Sequence, residues 1–380
     1  MVGAMLGAVT VALFAVSQAI LGIFSVYHHA ANLNASLFVR DADSTTYVST
    51  GDIDAMWLRD SSVQAMSAMH NRVLVRGVIA RQERLIAIDP YANAFYRNYQ
   101  VAERKFEIDS LCYPVRLLEK YAKDTRDRSI FDSNAYGMLH KVLITLAVER
   151  HHATESQYRR NEHPVASNIG LIWSAYRPSD DPQAYNYNVP ENIFAAVTLR
   201  EMARMFSVYY QDGPDARRAA NIADDIVSAI AKRAIFRTTF GRMYAYEIDG
   251  LGHAKFMDDA NVPSLLSIPL LNFPYDRQAY ADTRRFIFSP ANPYYFVGRY
   301  ASGVGSSHTP TGYVWPMSLV IEYQTATSTA ERKHVLRELG RSDSGDGTLH
   351  ESFDPNDPRR FTRPRFGWVN ALFDLSVTAR

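Results

Sequence analysis

Clusters of Asp, Glu, Arg, Asn, His and Trp recur along this sequence and contain the side chains best suited to chemistry. They begin at Thr50, Glu107, Arg177, Asp258, Gly303 and His350. Several tens of residues separate neighbouring clusters, about the length of a helical hairpin with its loops. Catalytic and binding groups usually lie in loops held by a rigid scaffold. The spacing therefore predicts a ring of helix pairs with one polar mouth and with each cluster just before a helix.

The composition of these clusters favours a sugar as the ligand. Carboxylates, Asn and Arg can hydrogen-bond sugar hydroxyls, and an indole ring offers a flat apolar surface to the C–H face of a sugar. The candidate indoles are Trp57, Trp173, Trp315 and Trp368. Taken singly, a tryptophan is more often a core residue than a ligand-binding one.

Metal and phosphate sites have weaker support. The sequence contains no His-Glu-x-x-His motif, and the adjacent pairs His28-His29 and His151-His152 lack the spacing of metal ligands. The segment Gly303 to Gly305 is not followed by the third glycine or the lysine of a nucleotide-binding loop. We therefore expect no metal and no other cofactor.

The overall composition indicates a globular protein with a large core. The chain has 380 residues, of which 47% are hydrophobic and 21% charged, and its formal net charge is +1. This balance provides no basic excess for a phosphate backbone, so nucleic acid is not an expected partner. The single cysteine, Cys112, excludes an intramolecular disulfide and is expected to be buried.

The amino-terminal segment differs from the rest of the chain, because Val2 to Val26 is almost wholly apolar and no Asp, Glu, Lys or Arg precedes Arg40. Such a segment is long enough to cross a bilayer. A signal-anchor helix, a cleaved signal peptide and a first barrel helix are the three interpretations. The sequon Asn34-Ala35-Ser36 follows it. We expect an apolar segment over 1–30, one catalytic domain over 31–380, and a secreted or membrane-anchored protein of the secretory pathway, with a cytoplasmic location as the alternative.

Helical periodicity dominates the chain after residue 40. Apolar residues at four-residue spacing predict amphipathic helices over Phe131 to Val148 and over Pro214 to Phe236. A capping-box pattern predicts another helix that begins after Ser328 and ends at Gly340. Short strands or loops are expected at Tyr244 to Ile248 and Arg360 to Arg363.

The polar clusters resemble the signature blocks of glycoside hydrolase family 125, the exo-acting α-1,6-mannosidases. The matching blocks are Thr50 to Ser61, Glu107 to Pro114, Arg177 to Asp181, Asp259 to Leu265, Gly305 to Pro316, His350 to Ser352 and Phe366 to Asn370. They occur in order between about Thr46 and Phe373. The resemblance implies an all-α fold, an (α/α)6 barrel with short β segments in its loops, and an inverting, metal-independent hydrolysis of terminal α-mannose.

The resemblance also implies the catalytic pair. An inverting glycosidase needs one carboxylic acid to protonate the leaving oxygen and one carboxylate to activate water, at about 6.5–9.5 Å from each other. The family's general acid corresponds to Asp180 or Asp181, and its general base to Glu351. We favour Asp180, because the adjacent carboxylate would raise the pKa of whichever aspartate is shielded from Arg177.

Sugar-binding residues are implied by the same blocks. They are Asp52, Trp57, Arg59, Asp60, Arg177, Asn261, His308 and Arg365, with Arg363 placed similarly to Arg365. Arg59 and Asp60 could equally form a buried structural ion pair. Glu107 and Glu191 are expected to be structural, Glu107 by pairing with Lys105 or Arg104, and Glu191 by its place at a helix start.

The expected substrate is an α-mannoside oligosaccharide or an N-glycan. Another inverting (α/α)6 glycosidase, such as an α-glucosidase, and an inactive carbohydrate-binding relative are the alternatives. The segment between Phe95 and Glu103 is shorter here than is usual in the family, which puts in question the wall of the site that this loop contributes and so the subsite specificity.

Overall fold

Helices are the main secondary structure in this computed structural model, which describes residues 29–378. They are α1 (29–36), α2 (Leu58–Ser67), α3 (Arg72–Ile88), α4 (Ile108–Thr125), α5 (Ser133–Glu149), α6 (His152–Glu155), α7 (Val189–Tyr209), α8 (Gly213–Arg233), α9 (Arg277–Ile287), α10 (Pro316–Thr325), α11 (Thr329–Arg341) and α12 (Gly367–Thr378). Two 3-10 helices cover Arg128–Ile130 and Ile268–Leu270.

Short strands lie in the loops between these helices and pair in small antiparallel sheets. They are β1 (Phe38–Arg40), β2 (Thr46–Val48), β3 (Met56–Trp57), β4 (Ala94–Phe95), β5 (Val101–Glu103), β6 (Tyr187–Asn188), β7 (Ile235–Thr238), β8 (Gly241–Tyr244), β9 (Glu247–Ile248), β10 (Ala254–Lys255), β11 (Tyr295–Val297), β12 (Ser302–Val304), β13 (Ser352–Asp354) and β14 (Asp357–Thr362). The sheets are β1-β2, β3-β4-β5, β6-β9-β10, β7-β8, β11-β12 and β13-β14.

The helices form the predicted (α/α)6 barrel. Within the inner layer, α2 packs against α4 and α12, α4 packs against α7, and α12 packs against α10. The 3-10 helix Ile268–Leu270 contacts α10 and occupies the chain position of the fourth inner helix. In the outer layer, α3 packs against α4 and α5, α8 against α7, and α11 against α10. Because α12 returns to α2, the ring is closed.

The amino-terminal ends of the inner helices carry most of the polar clusters. Trp57 is the N-cap of α2, Glu107 that of α4, and Trp315 that of α10, and Trp368 lies in the first turn of α12. The free N–H groups and the helix dipole make this end of a helix favourable for negative charge. The inner ring can therefore hold buried carboxylates at this end.

Most of the predicted helices are confirmed, within a few residues. The helix predicted over Phe131 to Val148 is α5, and the one predicted over Pro214 to Phe236 is α8. Ser328 caps α11, because its side chain accepts a hydrogen bond from the N–H of Glu331. The predicted left-handed stop at Gly340 is wrong, since Gly340 lies within α11, which continues to Arg341, and the C-cap residue Ser342 has a φ of −82°.

The strand expectations and the rule that each cluster precedes a helix hold only in part. Tyr244 to Ile248 is divided between β8 and β9, and Arg360 to Arg363 overlaps β14. The cluster at His350 leads first into the β13-β14 hairpin and only then into α12. The cluster at Asp258 leads into a 3-10 helix, because Asp258 accepts hydrogen bonds from the N–H groups of Leu265 and Leu266 and shapes an irregular loop instead.

The apolar segment 2–26 lies outside the described residues, and among those from 29 to 378 no helix is both long and apolar enough to span a bilayer. Helix α1 crosses the predicted boundary between residues 30 and 31. Asn34 on this helix is only 4% exposed, and its amide donates to the Gln64 carbonyl at 3.0 Å and to Ser67 Oγ at 2.6 Å. The asparagine of the sequon is therefore part of the packing between α1 and α2.

Candidate active site

A cavity of about 340 Å³ lies at the amino-terminal ends of the inner helices. Its wall includes seven of the predicted site residues: Trp57, Arg59, Asp60, Asp180, Asn261, His308 and Glu351. Trp315, Trp368 and Arg363, which the sequence indicated as further candidates, also line it. The remaining lining residues were not predicted as ligands: Ile53, Glu103, Lys105, Pro178, Ser179, Thr309, Pro310, Thr362 and Phe366. The tertiary structure thus brings together clusters that are far apart in the sequence.

Arg59 holds the carboxylates on one side of the cavity. Its Nη1 donates to Glu107 Oε2 at 2.8 Å and to Asp109 Oδ2 at 3.2 Å, and its Nη2 donates to Asp180 Oδ1 at 3.2 Å. Its Nε lies 3.5 Å from Asp60 Oδ2. The guanidinium also lies over the Trp368 ring, 4.6 Å from its centroid. The alternative interpretation of Arg59 with Asp60 as an isolated ion pair is therefore too narrow, since four carboxyl groups share this cation.

Asp180 lies between this network and the cavity. It occupies a tight turn in which its N–H bonds the Arg177 carbonyl, and its φ of 64° is left-handed, a conformation that Asp tolerates better than most residues. Its carboxylate accepts from Arg59 and, at 3.2 Å, from Asn93 Nδ2. The side chain is 15% exposed. It is therefore held firmly and still reaches the cavity.

Asp181 faces the neighbouring loop and does not line the cavity. It accepts from the Ser307 hydroxyl and lies 3.2 Å from His308 Nδ1. The hydrogen bond to Asp181 raises the pKa of His308. Burial alone would raise the pKa of Asp181, but the hydrogen bonds from His308 and Ser307 outweigh burial, so the pKa of Asp181 is lowered. Asp181 is thus an ionised residue that positions His308.

Glu351 lies on another side of the cavity, at the start of the β13-β14 hairpin. It is 6% exposed, and burial raises the pKa of its carboxyl, although the positive charges of Arg363 and His308 oppose this. The nearest approach to Arg363 is 3.8 Å, between Oε1 and Nη1. A carboxylate that is buried but not tightly ion-paired is suited to accept a proton from water.

Asp52 supports the Glu351 side of the cavity without lining it. It accepts from Arg363 Nε at 2.8 Å, and Thr50 Oγ1 accepts from Arg363 Nη2 at 2.6 Å. Asp52 and Thr50 thereby hold the Arg363 guanidinium beside Glu351. Asp52 therefore positions Arg363 in this structure, and its role as a sugar ligand stays a prediction.

Arg177 and Arg365 are not brought into the wall of the cavity. Arg177 Nε lies 2.6 Å from Glu247 Oε1, and its Nη1 donates to Ser307 Oγ at 3.1 Å. The exposed side chain of Arg365 reaches Ser36 Oγ at 3.0 Å. Arg363 and Phe366 on the same segment line the cavity, while residue 365 turns outward and its carbonyl accepts from the Asp52 N–H. Trp173 also lies elsewhere, stacked on His152 with 3.6 Å between ring centroids.

Asn93 and the pair Glu103 and Lys105 were missed from the sequence. Lys105 Nζ lies 2.6 Å from Glu103 Oε1 at the cavity wall. Asn93 Nδ2 donates to Glu103 Oε2 at 2.9 Å, in addition to Asp180. A possible signal was the Glu-Arg-Lys run just before Glu107, although its place beside the acid depends on the β3-β4-β5 sheet.

The protonation of Asp180 differs from the expectation. Burial would raise its pKa, but the charge of Arg59, a hydrogen bond with Glu107 and the charges of Lys105 and His308 lower it to about 2. Burial and the negative charge of Asp180 together raise the pKa of Glu107 well above its ordinary range despite the opposing charge of Arg59. The charges of Glu107 and Asp180 therefore depend on each other, and the pKa of Asp180 is lowered where the sequence predicted a raised one.

Several further acids are buried near the cavity. Burial raises the pKa of Asp60 to about 6, with Arg59 opposing the shift. Glu191 lies in the first turn of α7, as expected, and is hydrogen-bonded with Asp109.

Cys112 is buried in α4. Over residues 29–378, no group of three or more His, Cys, Asp or Glu side chains is arranged to hold a metal ion.

Comparisons with known proteins agree with this site. The family model of the metal-independent α-mannosidases, glycoside hydrolase family 125, matches residues 25–378. The meiotically up-regulated gene 157 protein of Schizosaccharomyces pombe is 34% identical over 384 residues, with 86% of this chain and 75% of that protein covered.

Solved structures give the same result. A Streptococcus pneumoniae metal-independent α-mannosidase, in a non-productive complex with α-1,6-mannobiose, is 35% identical, with a TM-score of 0.90 over 97% of this chain and 98% of that chain. A glucoamylase from Saccharomycopsis fibuligera has a TM-score of 0.61 at 10% identity, over 96% of this chain and 94% of that chain, and so shares the fold alone. The chain belongs to glycoside hydrolase family 125, the metal-independent α-mannosidases, and is a glycoside hydrolase.

Proposed function

We propose that this α-mannosidase is exo-acting, cleaves α-1,6 linkages and inverts the anomeric configuration. The observation that carries the proposal is that Asp180 and Glu351 line one cavity in different environments. Asp180 accepts hydrogen bonds from Arg59 and Asn93, while Glu351 is buried and lies 3.8 Å from Arg363. Two carboxyl groups with unlike environments can take the opposite protonation states that an inverting glycosidase needs.

In this mechanism, Asp180 donates its proton to the glycosidic oxygen as the bond from that oxygen to the anomeric carbon breaks. Glu351 removes a proton from a water molecule that attacks the anomeric carbon from the opposite face of the sugar. The bonding electrons leave with the protonated oxygen, and the new hydroxyl on the mannose has the β configuration. Proton transfers to and from solvent restore both carboxyl groups, so no metal is needed.

The remaining wall of the cavity would bind the terminal mannose. Trp57, Trp315 and Trp368 offer apolar ring faces, and Asp60, Asn261 and His308 offer hydrogen-bonding groups for hydroxyls. Burial of Asp60 and Asn261 makes each of their hydrogen bonds to a substrate hydroxyl more discriminating, since a sugar that lacks the hydroxyl leaves a buried polar group unpaired.

The linkage and the substrate class are supported by the likeness to the S. pneumoniae enzyme, which was solved with α-1,6-mannobiose and is associated with the processing of N-linked glycans. We propose that this chain likewise acts on α-mannoside oligosaccharides or N-glycans. An α-glucosidase activity is not favoured, because the likeness to glucoamylases is confined to the fold.

Product analysis by NMR tests this function. The full-length protein is mixed with α-1,6-mannobiose, and the anomeric signals are followed from the first minutes. We expect β-mannose to appear before mutarotation and expect α-1,2- and α-1,3-mannobiose and aryl α-glucosides to react much more slowly. Initial release of α-mannose would contradict inversion, and equal rates on the three mannobioses would contradict the proposed linkage.

We also propose that residues 2–26 place the enzyme in the secretory pathway as a membrane anchor. The support is the length and apolar character of this segment and its position immediately before the barrel, whose packing begins by Ala30. Extraction of membranes from expressing cells with alkaline carbonate should leave the protein in the pellet. Release into the supernatant would contradict anchoring.

A further inference from the structure

Five carboxyl groups crowd the buried side of the cavity: Asp60, Glu107, Asp109, Asp180 and Glu191. Asp60, Glu107, Asp109 and Glu191 are at most 3% exposed. Four of the five share the guanidinium of Arg59, and Glu191 is hydrogen-bonded with Asp109. Burial strongly disfavours an excess of negative charge around one cation. The cluster must therefore hold protons at neutral pH, and their positions matter for an acid that borders it.

Glu107 and Asp180 hydrogen-bond each other, as Asp109 and Glu191 do, and of these four carboxyls Asp180 is the one that lines the cavity. The same guanidinium holds both, at 2.8 Å from Glu107 and at 3.2 Å from Asp180. Ser110 Oγ donates to Glu107 Oε2 at 2.9 Å, so the Glu107 carboxyl is fixed at the N-terminus of α4. This arrangement stabilises the ionised form of either carboxyl.

Asn93 makes the environments of the two carboxyls more alike. Its Oδ1 accepts from the Lys105 N–H at 3.1 Å, which fixes the orientation of the amide, so its NH2 group faces the carboxyls. Nδ2 lies 3.2 Å from Asp180 Oδ1 and 3.5 Å from Glu107 Oε1. The partners therefore include no hydrogen-bond acceptor that would fix a proton permanently on either carboxyl.

Several other charged groups face this pair, from each element packed around it. They are Arg59 and Asp60 from α2, Glu103 and Lys105 after β4, Asp109 and Tyr113 from α4, Glu191 from α7, His308 from the loop before α10, and Glu351 and Arg363 from the β13-β14 region. Lys105 and His308 lie nearer Asp180 and favour its ionised form. Without an opposing negative charge, Asp180 would thus be a poor acid at neutral pH.

We propose that Glu107 is a positioning residue that shares one proton with Asp180 and, when ionised against Arg59, keeps that proton on the acid that faces the substrate. The inference rests on the proposed function, since it takes Asp180 as the general acid. Glu107 does not line the cavity and acts through Asp180. Its interpretation as a purely structural residue is thereby replaced.

The pH dependence of kcat/KM for Glu107→Gln tests the proposal. Glutamine has nearly the same shape but cannot ionise, so the substitution removes the neighbouring negative charge that opposes loss of the Asp180 proton. We expect the alkaline limb to move to lower pH by about one unit or more, as is typical when a neighbouring charge is removed. The loss of kcat/KM in Glu107→Gln should be large on α-1,6-mannobiose and small on an aryl mannoside with a good leaving group. An unmoved alkaline limb, with only a lower melting temperature, would overturn the proposal.

Glu322→Gln is the matched control. Burial raises the pKa of Glu322 to about 8, so this variant removes a buried carboxyl that keeps its own proton at neutral pH, and Glu322 lies on α10 and does not line the cavity. We expect its alkaline limb to coincide with that of the wild type. An equal shift in both variants would overturn the assignment to Glu107.

A second measurement is independent of turnover and does not require Glu107→Gln to fold. In protein labelled with ¹³C at glutamate carboxyls, the NMR titration of wild type is compared with that of Asp180→Asn. Removal of the Asp180 charge should lower the pKa of one glutamate. The signal of that glutamate should still be present in Glu322→Gln, which shows that it does not come from Glu322. If no glutamate moves, the shared proton is refuted. If one moves but the wild type does not hydrolyse α-1,6-mannobiose, the proton pair stands and the proposed function fails.

Discussion

Asp180 and Glu351 reach the same cavity from different elements and with different partners. Loss of a general acid or base typically slows turnover by about 10²–10⁴-fold. We expect Glu351→Gln and Asp180→Asn both to lose activity on α-1,6-mannobiose within this range. Asp180→Asn should retain more activity on an aryl mannoside whose good leaving group needs little protonation, as measured by kcat on the two substrates. If Asp181→Asn shows this leaving-group dependence instead, the assignment of the acid is wrong.

His308 and Asp181 form a separate pair, whose protonation can be followed directly. The carboxylate of Asp181 raises the pKa of His308, so Asp181→Asn should move the titration of the His308 ring to lower pH in an NMR experiment. A histidine whose pKa is raised by folding stabilises the folded state. This stabilisation is fully present below the pKa of the unfolded state and is lost as pH rises through the pKa of the folded state. The lowered pKa of Asp181 also stabilises the folded state. This contribution is present above the pKa of an unfolded aspartate and is lost as pH falls through the pKa of Asp181 in the folded state.

The stability difference between wild type and Asp181→Asn should therefore be largest between about pH 4 and 6.5, the ordinary pKa values of Asp and His. Denaturant unfolding across this range measures it. Asp282→Asn, which changes a carboxylate on α9 that pairs with Arg285 outside the cavity, serves as the control and should not move the His308 titration. An unchanged His308 titration in Asp181→Asn would contradict the pairing.

At the scale of elements, one glycine decides how the segment from Arg363 to Phe366 meets the first cluster. Gly51 has a φ of +134°, and a Cβ built there would lie 2.0 Å from the Arg365 carbonyl oxygen. Its bridge to Phe366 places Arg363 beside Asp52 and Glu351. We expect Gly51→Ala to displace this segment, raise KM or lower kcat by at least tenfold, and reduce the melting temperature.

Gly252→Ala is the matched control for this prediction. Gly252 has a φ of +115°, so an alanine there is also strained, but nothing lies within 4 Å of its Cβ position. The control should lose some stability and retain the kinetic constants of the wild type. Equal kinetic losses in both variants would show that backbone strain alone, rather than the position of Arg363, controls the site.

At the scale of the whole molecule, closure of the barrel includes α1. Asn34 is buried between α1 and α2 and its amide is bonded to Gln64 and Ser67. A glycan on this nitrogen would remove a hydrogen bond and require room in the packed interface. We expect active enzyme from a glycosylating secretory host to carry no glycan at Asn34, as judged by peptide mass spectrometry. A glycan on Asn34 in fully active protein would contradict this prediction and the described packing.

The sequence by itself determined the helical character, the family and seven of the residues that line the cavity. Helices such as α5 and α8 could be predicted because their apolar periodicity is local, and the cap at Ser328 depends on atoms three residues apart. Trp57, Arg59 and Asp60 could be placed together because the first block is contiguous and begins an inner helix. The stop at Gly340 failed, since a helix end is decided by a few weak hydrogen bonds.

Only the tertiary structure decided which charged groups meet. Arg59 pairs with Glu107 across 48 residues and with Asp180 across 121 residues, while Lys105 and Arg104 pair with Glu103 and Asp89. Arg363 enters the cavity, whereas Arg365, two residues later, turns to Ser36. A pKa depends on burial and on every charge nearby, and none of these is fixed until the barrel closes. The location of the acid's proton is therefore a property of the folded ring and not of any one sequence block.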